Sequence, residues 1–203
     1  MKTTRSVFLH IIIAALLVGC ASPARYVDPG SGQGVTTVGQ INTQDWGQSA
    51  EKMIFSLLKS PSLESTDGRR MVIMIGEIKN ATLEYIDTDL LVKKIRVALN
   101  KSGKVVTTTA VRRGGPDDTS STAVRELRGS REFDQTTVPG QGQMVAPDYS
   151  LSGKIIETPV RSGNVRQSTF SFQLTLSDVR TGLAPWEDEV EITKMGKRPA
   201  VSW

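Results

Sequence analysis

A chain of 203 residues in which 25 Lys and Arg face 21 Asp and Glu is close to charge balance, with a formal net charge of +4. Such a balance offers no electrostatic footprint for nucleic acid. The one His and the one Cys, His10 and Cys20, both lie ahead of Ala21, so Ser-His-Asp and Cys-His catalysis and the usual zinc ligands are excluded from everything downstream.

At the N-terminus Lys2 and Arg5 precede the apolar run FLHIIIAALLVG, which ends in a small residue. This is the layout of a secretory signal peptide, short for a membrane span and with no second hydrophobic segment behind it. Leu17-Val18-Gly19-Cys20 resembles a bacterial lipobox. In a lipobox the peptide is cut before the cysteine, whose sulfur takes a diacylglycerol and whose freed amino group is acylated, with palmitate as an expected chain. The chemistry demands a thiol to alkylate and small neighbours for the peptidase, and two or more acyl chains make a durable anchor. Residues 1–19 are therefore expected to be a signal peptide and Cys20 the lipid-attachment residue. By resemblance to sorted bacterial lipoproteins, Ala21 rather than Asp after the cysteine implies the periplasmic face of the outer membrane. With Cys20 lipidated no thiol remains for a disulfide, and a domain of this size is stable without one.

Residues 20–44 form the expected linker. SPARYVDPGSGQGVTTVGQINTQ is rich in Gly, Ser, Thr, Gln and Pro and poor in large apolar side chains, so it cannot bury enough surface to offset the entropy of ordering. Its extended reach is at most roughly 80 Å.

The globular periplasmic domain is expected over 45–203. In DWGQSAEKMIFSLLKSP, Asp45 is placed to cap a helix, Trp46, Ala50, Met53, Ile54, Leu57 and Leu58 recur at helical spacing, and Pro61 stops the pattern. MVIMIGEI, residues 71–78, reads as a buried strand. DTDLLVKKIRVALNKSGK follows as a helix capped by Asp87 or Thr88, with Leu91, Ile95, Ala98 and Leu99 on one side and Gly103 suited to a left-handed cap. KVVTTTAV, 104–111, reads as a second strand, and this strand-helix-strand spacing favours parallel pairing.

The middle carries little core pattern. RRGGPDDTSS and DQTTVPGQGQMVAPD read as loops around a short polar helix in TAVRELRGSREF, and long stretches of this kind are either functional or disordered. The last third alternates cleanly: DYSLSGKIIETPV, a turn at RSGN, VRQSTFSFQLTLSDV, a turn at RTG, and WEDEVEITK. Phe170, Phe172, Leu174 and Leu176 share one face of the central strand and Ser171, Gln173, Thr175 and Ser177 the other, which predicts one dry and one wet face. The fold class is α+β: a single mixed β-sheet with helices packed on it, a strand-helix-strand first half and an antiparallel meander second half.

Apparent catalytic motifs have wrong contexts. Ser49-Ala50-Glu51-Lys52 matches the S-x-x-K of penicillin-interacting serine enzymes, and Lys101-Ser102-Gly103 imitates their K-[ST]-G strand, but the second triplet ends a helix. Asp87-Thr88-Asp89 and Asp117-Asp118 lack the spacing of a calcium loop and are explained by capping and loop solvation. No metal site or cofactor is expected. Glu187-Asp188-Glu189, with Glu191, makes a locally acidic strand, and Lys93, Lys94 and Arg96 a basic helix face. Complementary charge on a protein partner is the natural functional reading of either. Trp186, expected to be half-buried, is the residue type most often found as an interface anchor. Trp186, Glu187, Asp188 and Glu189 are the candidate partner contacts.

Residues 41–195, with the lipobox upstream, resemble the LpoB family, the outer-membrane lipoprotein activators of penicillin-binding proteins. The order of its parts carries the resemblance: a strand running into Asn80-Ala81-Thr82, and a helix ending in Leu99-Asn100-Lys101-Ser102-Gly103-Lys104. Then come the strand Leu151-Ser152-Gly153-Lys154-Ile155 and a Thr181-Gly182 turn ahead of Trp186. The resemblance implies a periplasmic domain that binds and stimulates a class A penicillin-binding protein, an inner-membrane peptidoglycan synthase, without chemistry of its own. A related fold is known in the TolB amino-terminal domain and in CsgG-type secretion lipoproteins. The alternative is accordingly a structural or assembly lipoprotein of the envelope, a secretion or appendage accessory with the same fold. The linker departs from the family, being shorter and not Pro-rich.

Overall fold

Residues 24–28, 31–64, 68–112 and 118–197 are described by the structure, a computed structural model. The expected signal peptide and Cys20 lie outside the described residues. The chain separates into two units, 1–33 and 34–203. In the first, Ser31 donates from its N–H and its hydroxyl to the carbonyl of Asp28, closing a turn. All that follows concerns the second.

Helix α1 spans Thr43–Lys59 and starts one turn's worth of capping earlier than its apolar pattern suggests. Asn42, not Asp45, is the N-cap: its side chain accepts from Gln44 N and Asp45 N, each at 3.0 Å. Asp45 reaches back to accept from Asn42 N at 2.7 Å. This reciprocal box satisfies more of the orphan N–H groups than a lone Asp45 cap would. Trp46, Ala50, Met53, Ile54 and Leu57 form the buried stripe as predicted. Ser60 and a 3-10 turn at Pro61–Leu63 end the helix.

Strand β1, Met71–Ala81, buries Ile73 and Ile75, then Ile78, so its alternation slips by one residue. The cause is a bulge between Ile75 and Ile78 in the pairing with β3. Helix α2, Thr88–Lys101, is capped by Asp87 and buries Leu91, Ile95 and Leu99 at strict i, i+4 spacing. Gly103 takes φ +71°, the expected left-handed stop. Strand β2, Val105–Thr108, is shorter than the apolar run that contains it, because only these residues pair with β1.

The meander follows the predicted order: β3 Tyr149–Ser162, β4 Val165–Asp178 and β5 Trp186–Lys197. The sheet has 5 strands in the order β2-β1-β3-β4-β5. β1 runs parallel to both of its neighbours, and the β3-β4 and β4-β5 pairs are antiparallel. The mixed sheet expected from the sequence is therefore present. The core lies between one face of it and the two longer helices, with Met53, Leu57, Ile95, Leu99, Leu151, Ile155, Phe170 and Phe172 all at most 1% exposed. Each such side chain contributes about 1.5–3 kcal/mol by leaving water.

Between β2 and β3 the chain forms helix α3, Thr119–Glu126, capped by Asp118, with no buried residue. It starts and ends earlier than TAVRELRGSREF. The turns beyond it are held by their own polar groups. Gln135 Oε1 accepts from Gly129 N, and its Nε2 donates to the carbonyls of Leu127, Ser130 and Phe133. Arg128 donates to Pro139 O and Gly140 O, both at 2.7 Å.

Candidate partner-binding face

The side of the sheet turned away from the helices is open, and the strict alternation of β4 and β5 decides what it shows. On β4 Ser171, Gln173 and Thr175 point outward; on β5 Glu187, Glu189 and Glu191 do so and are exposed. Each carboxylate is held by its cross-strand neighbour. Thr175 Oγ1 donates to Glu187 at 2.9 Å, Gln173 Nε2 to Glu189 at 2.5 Å and Ser171 Oγ to Glu191 at 3.1 Å. The result is a preoriented row of carboxylates along the last strand of the sheet. Register places Glu189, Gln173, Lys154 and Lys79 side by side across four strands. Along this row the charge passes from anionic at β5 to cationic at β3 and β1, with Glu77 beside Lys79. A shallow hollow of about 410 Å³ lies on the cationic side, lined by Glu77, Lys79, Ser152, Lys154, Gln173 and Thr175.

Gly153 sits at the floor of this hollow for a packing reason. A Cβ there would lie 2.7 Å from Leu174 Cδ2 and closer still to the carbonyl of Gln173, so no other residue fits without moving β4.

The candidate contacts of the sequence reading do not share this face. Glu187 and Glu189 are on it, whereas Trp186 and Asp188 lie on the helix side of β5, as period two requires. Trp186 is buried, 9% exposed, rather than half-buried, and its Nε1 donates to Ser56 Oγ on α1 at 3.4 Å. The indole fills the space between α1 and the start of β5.

Lys194 was not singled out by its sequence context, yet it anchors β5 from inside. It is 7% exposed, donates to Gln40 O at 2.7 Å and forms an ion pair with the equally buried Asp45. The signal was available: Lys194 continues the inward register of Trp186, Asp188, Val190 and Ile192, so its ammonium had to be buried or to snorkel.

Two aspartates set the ends of the sheet. Asp148 accepts both arms of Arg69, at 2.6 and 2.9 Å, and Val72 N at 2.8 Å. The Arg69 hydrogen bond, aided by the Val72 N–H, holds its carboxyl below the usual range against an opposing desolvation. Asp178 accepts from Arg180 N and Thr181 N at 2.8 and 2.9 Å, and these backbone donors, Thr181 first, lower its pKa. They shape the Thr181-Gly182 turn, where Gly182 has φ +72°. Asn80 works likewise: its Oδ1 accepts from Thr82 N and Oγ1, and its Nδ2 donates to Glu84 O. The Asn-x-Thr and Thr-Gly signatures are thus turn staples.

The catalytic look-alikes separate. Ser49 is 0% exposed and its hydroxyl has no hydrogen-bond partner among the described residues, while Lys52 is exposed. Lys101-Ser102-Gly103 closes α2, with Ser102 Oγ donating to Leu99 O at 2.6 Å. Asp87 and Asp118 are helix caps, and Asp117 lies outside the described residues. Among the described residues no group of three or more His, Cys, Asp or Glu could hold a metal ion. No helix among the described residues is long and apolar enough to cross a membrane.

A five-stranded mixed sheet carrying two packed helices on one side and a polar, charge-graded surface on the other defines a small α+β domain. The model of the family described as peptidoglycan-synthase activator LpoB matches residues 45–192, and the chain belongs to that family. Among solved structures the chain is similar to the LpoB C-terminal domain from Escherichia coli, at 16% identity and a TM-score of 0.44, covering 73% of this chain and 98% of that one. The LpoB C-terminal domain from Salmonella enterica is similar at 15% identity and a TM-score of 0.43, with the same coverage of 73% and 98%. Lipoprotein GNA1162 from Neisseria meningitidis is similar at 12% identity and a TM-score of 0.35, over 63% of this chain and 84% of that one. No curated protein sequence matches the chain.

Proposed function

We propose that this chain is an outer-membrane lipoprotein, anchored through Cys20 after removal of residues 1–19 and tethered by a linker that ends ahead of the segment packed at the start of α1. The domain beyond that linker binds a class A penicillin-binding peptidoglycan synthase and raises its activity without catalysing any step itself. The observation that carries this reading is the family match over residues 45–192, a family of synthase activators. The mature chain's lack of histidine and thiol agrees with a role that works through binding.

Activation then needs only a difference in affinity. An activator that binds the active state of the synthase better than the inactive one shifts the equilibrium by that ratio, and a tenfold shift takes about 1.4 kcal/mol. Glu187 and Glu189, with Glu191, are the proposed contacts, already oriented by Thr175, Gln173 and Ser171, so little side-chain entropy is lost on binding. Trp186 acts from the inner side of the strand, fixing its position against α1 through Ser56. Carboxylates at a partly exposed surface steer encounter with a basic partner surface and favour rapid association.

The test is an in-cell crosslink and pull-down of the lipidated protein, followed by a peptidoglycan-synthesis assay with the captured enzyme. Recovery of a class A synthase whose rate rises on addition of the chain supports the proposal. Capture of secretion or appendage components, with no effect on any synthase, would replace it with the envelope-assembly role.

A further inference from the structure

On the other side of the sheet, beyond the N-terminus of α1, lies a hollow of about 810 Å³ that no part of the synthase reading uses. Its walls are the segment Thr36–Gln40, the tip of the β3–β4 hairpin and the end of β5. The hairpin turns through Gly163, φ +57°, and Asn164, whose φ is negative, the arrangement of a two-residue type II′ loop.

Next to this turn Arg161 and Arg166 stand directly opposite one another. Directly opposed residues in an antiparallel pair have Cβ atoms about 4.5–5.5 Å apart, and two like charges there destabilise the hairpin. Neither guanidinium has a carboxylate partner among the described residues, and Arg166 Nε is buried without any acceptor. Lys197 adds a further cation to the lining, and Glu84 is the one carboxylate in it among the described residues. The remaining cation, Lys194, is already matched by Asp45.

Arg166 is also held in place. Its guanidinium lies against the buried Gly39, where an added Cβ would come within 2.6 Å of Nη2 and 3.0 Å of Cζ. A donor-rich pair of guanidiniums that repel one another, one of them held in place, is stabilised by an anion that bridges them.

We infer that this hollow is a binding site for an oxyanion of the phosphate class, gripped between Arg161 and Arg166. A carboxylate fills one guanidinium fork, whereas a phosphate presents enough acceptor oxygens and charge to engage two. The hollow is larger than a bare phosphate needs and falls within the range of small-molecule pockets. Thr37 and Asn164 supply neutral polar groups for the body that carries the phosphate. That body is a free phosphorylated ligand or a lipid headgroup, and the two share the same recognition chemistry.

The experiment titrates inorganic phosphate into the full chain at constant ionic strength, with chloride as the control, and follows binding by calorimetry and by the thermal unfolding midpoint. Saturable binding is expected, with a rise in midpoint that chloride does not produce. Arg161→Ala and Arg166→Ala should each weaken phosphate binding tenfold or more. Without phosphate they should unfold at the same temperature as the parent or higher, because the like-charge contact is gone. Gly39→Ala should weaken binding with every charge retained, since it displaces the Arg166 guanidinium. A second arm uses a Cys20→Ser chain with vesicles of phosphatidylglycerol or of phosphatidylcholine. Vesicle binding that disappears with Arg166→Ala assigns a lipid headgroup, and phosphate binding without it assigns a free ligand. Phosphate affinity that matches the chloride control, or that survives both arginine substitutions, overturns the site.

Discussion

The β3–β5 meander and the segment from Asp118 to Pro147 are both well-defined pieces of chain, yet they are ordered by different forces. In β4 every second side chain from Ser168 to Leu176 is buried, and Phe170 and Phe172 are 1% exposed. The 118–147 segment buries no residue and holds its shape through Gln135, Arg128 and Asp134 bonding to nearby backbone and hydroxyl groups. Burial couples a strand to the whole domain. Local hydrogen bonds exchanged against water contribute about 0.5–1.5 kcal/mol each and couple a turn only to itself. The first kind of order is global and cooperative, the second local.

The sharpest way to break the comparison is at the core. Phe172→Ala should cost about 3–5 kcal/mol, read as a fall in the denaturation midpoint, whereas Phe133→Ala, at a side chain 46% exposed, should stay within about 0.5 kcal/mol. Equal effects would mean that the 118–147 segment belongs to the cooperative unit. Asp45→Ala should cost a similar 3–5 kcal/mol by leaving Lys194 buried without its partner, and adding Lys194→Met should recover much of the loss. Equilibrium unfolding of the single and double variants checks this.

Asp148 predicts a smaller effect with a definite pH dependence. Its folded pKa is depressed by Arg69, so it stabilises the fold above its unfolded value of about 3.9, and that contribution fades as pH falls through the folded value. Arg69 is 51% exposed, so screening limits the contribution to about 1 kcal/mol or less. In Asp148→Asn the stability difference from the parent should be present at pH 7 and shrink as pH falls below about 3.9 and through the folded value. A difference that persists in acid would assign the effect to packing instead. The smallest global effect is expected for Gln135→Ala: hydrogen exchange over residues 127–137 should accelerate while the denaturation midpoint hardly moves. For the proposed synthase contact, Glu187→Lys with Glu189→Lys should reduce synthase stimulation while leaving the midpoint within about 0.5 kcal/mol of the parent.

Legibility in the sequence follows the same division. The stripe Trp46, Ala50, Met53, Ile54, Leu57 and the alternation Phe170, Phe172, Leu174, Leu176 appear in the structure where periodicity placed them, because burial selects one face and the backbone period does the rest. The cap of α1 lies three residues ahead of Asp45, at Asn42, since either residue type can cap and only the reciprocal bond distinguishes them. In β1 the slip from Ile75 to Ile78 is visible as Gly76-Glu77 interrupting the pattern, but its meaning as a bulge depends on β3.

The sequence by itself determined the strand and helix order, the sidedness of the meander, the parallel β1–β2 pairing and the family, all of which rest on local period, turn chemistry and the order of segments. Tertiary structure alone decided which charges meet. Asp45 finds Lys194 from 149 positions away, Arg69 finds Asp148 across 79, and Arg161 faces Arg166 because of one hairpin register. Contacts between distant charges depend on how whole elements are stacked and on which face each strand turns inward, and no local pattern records that.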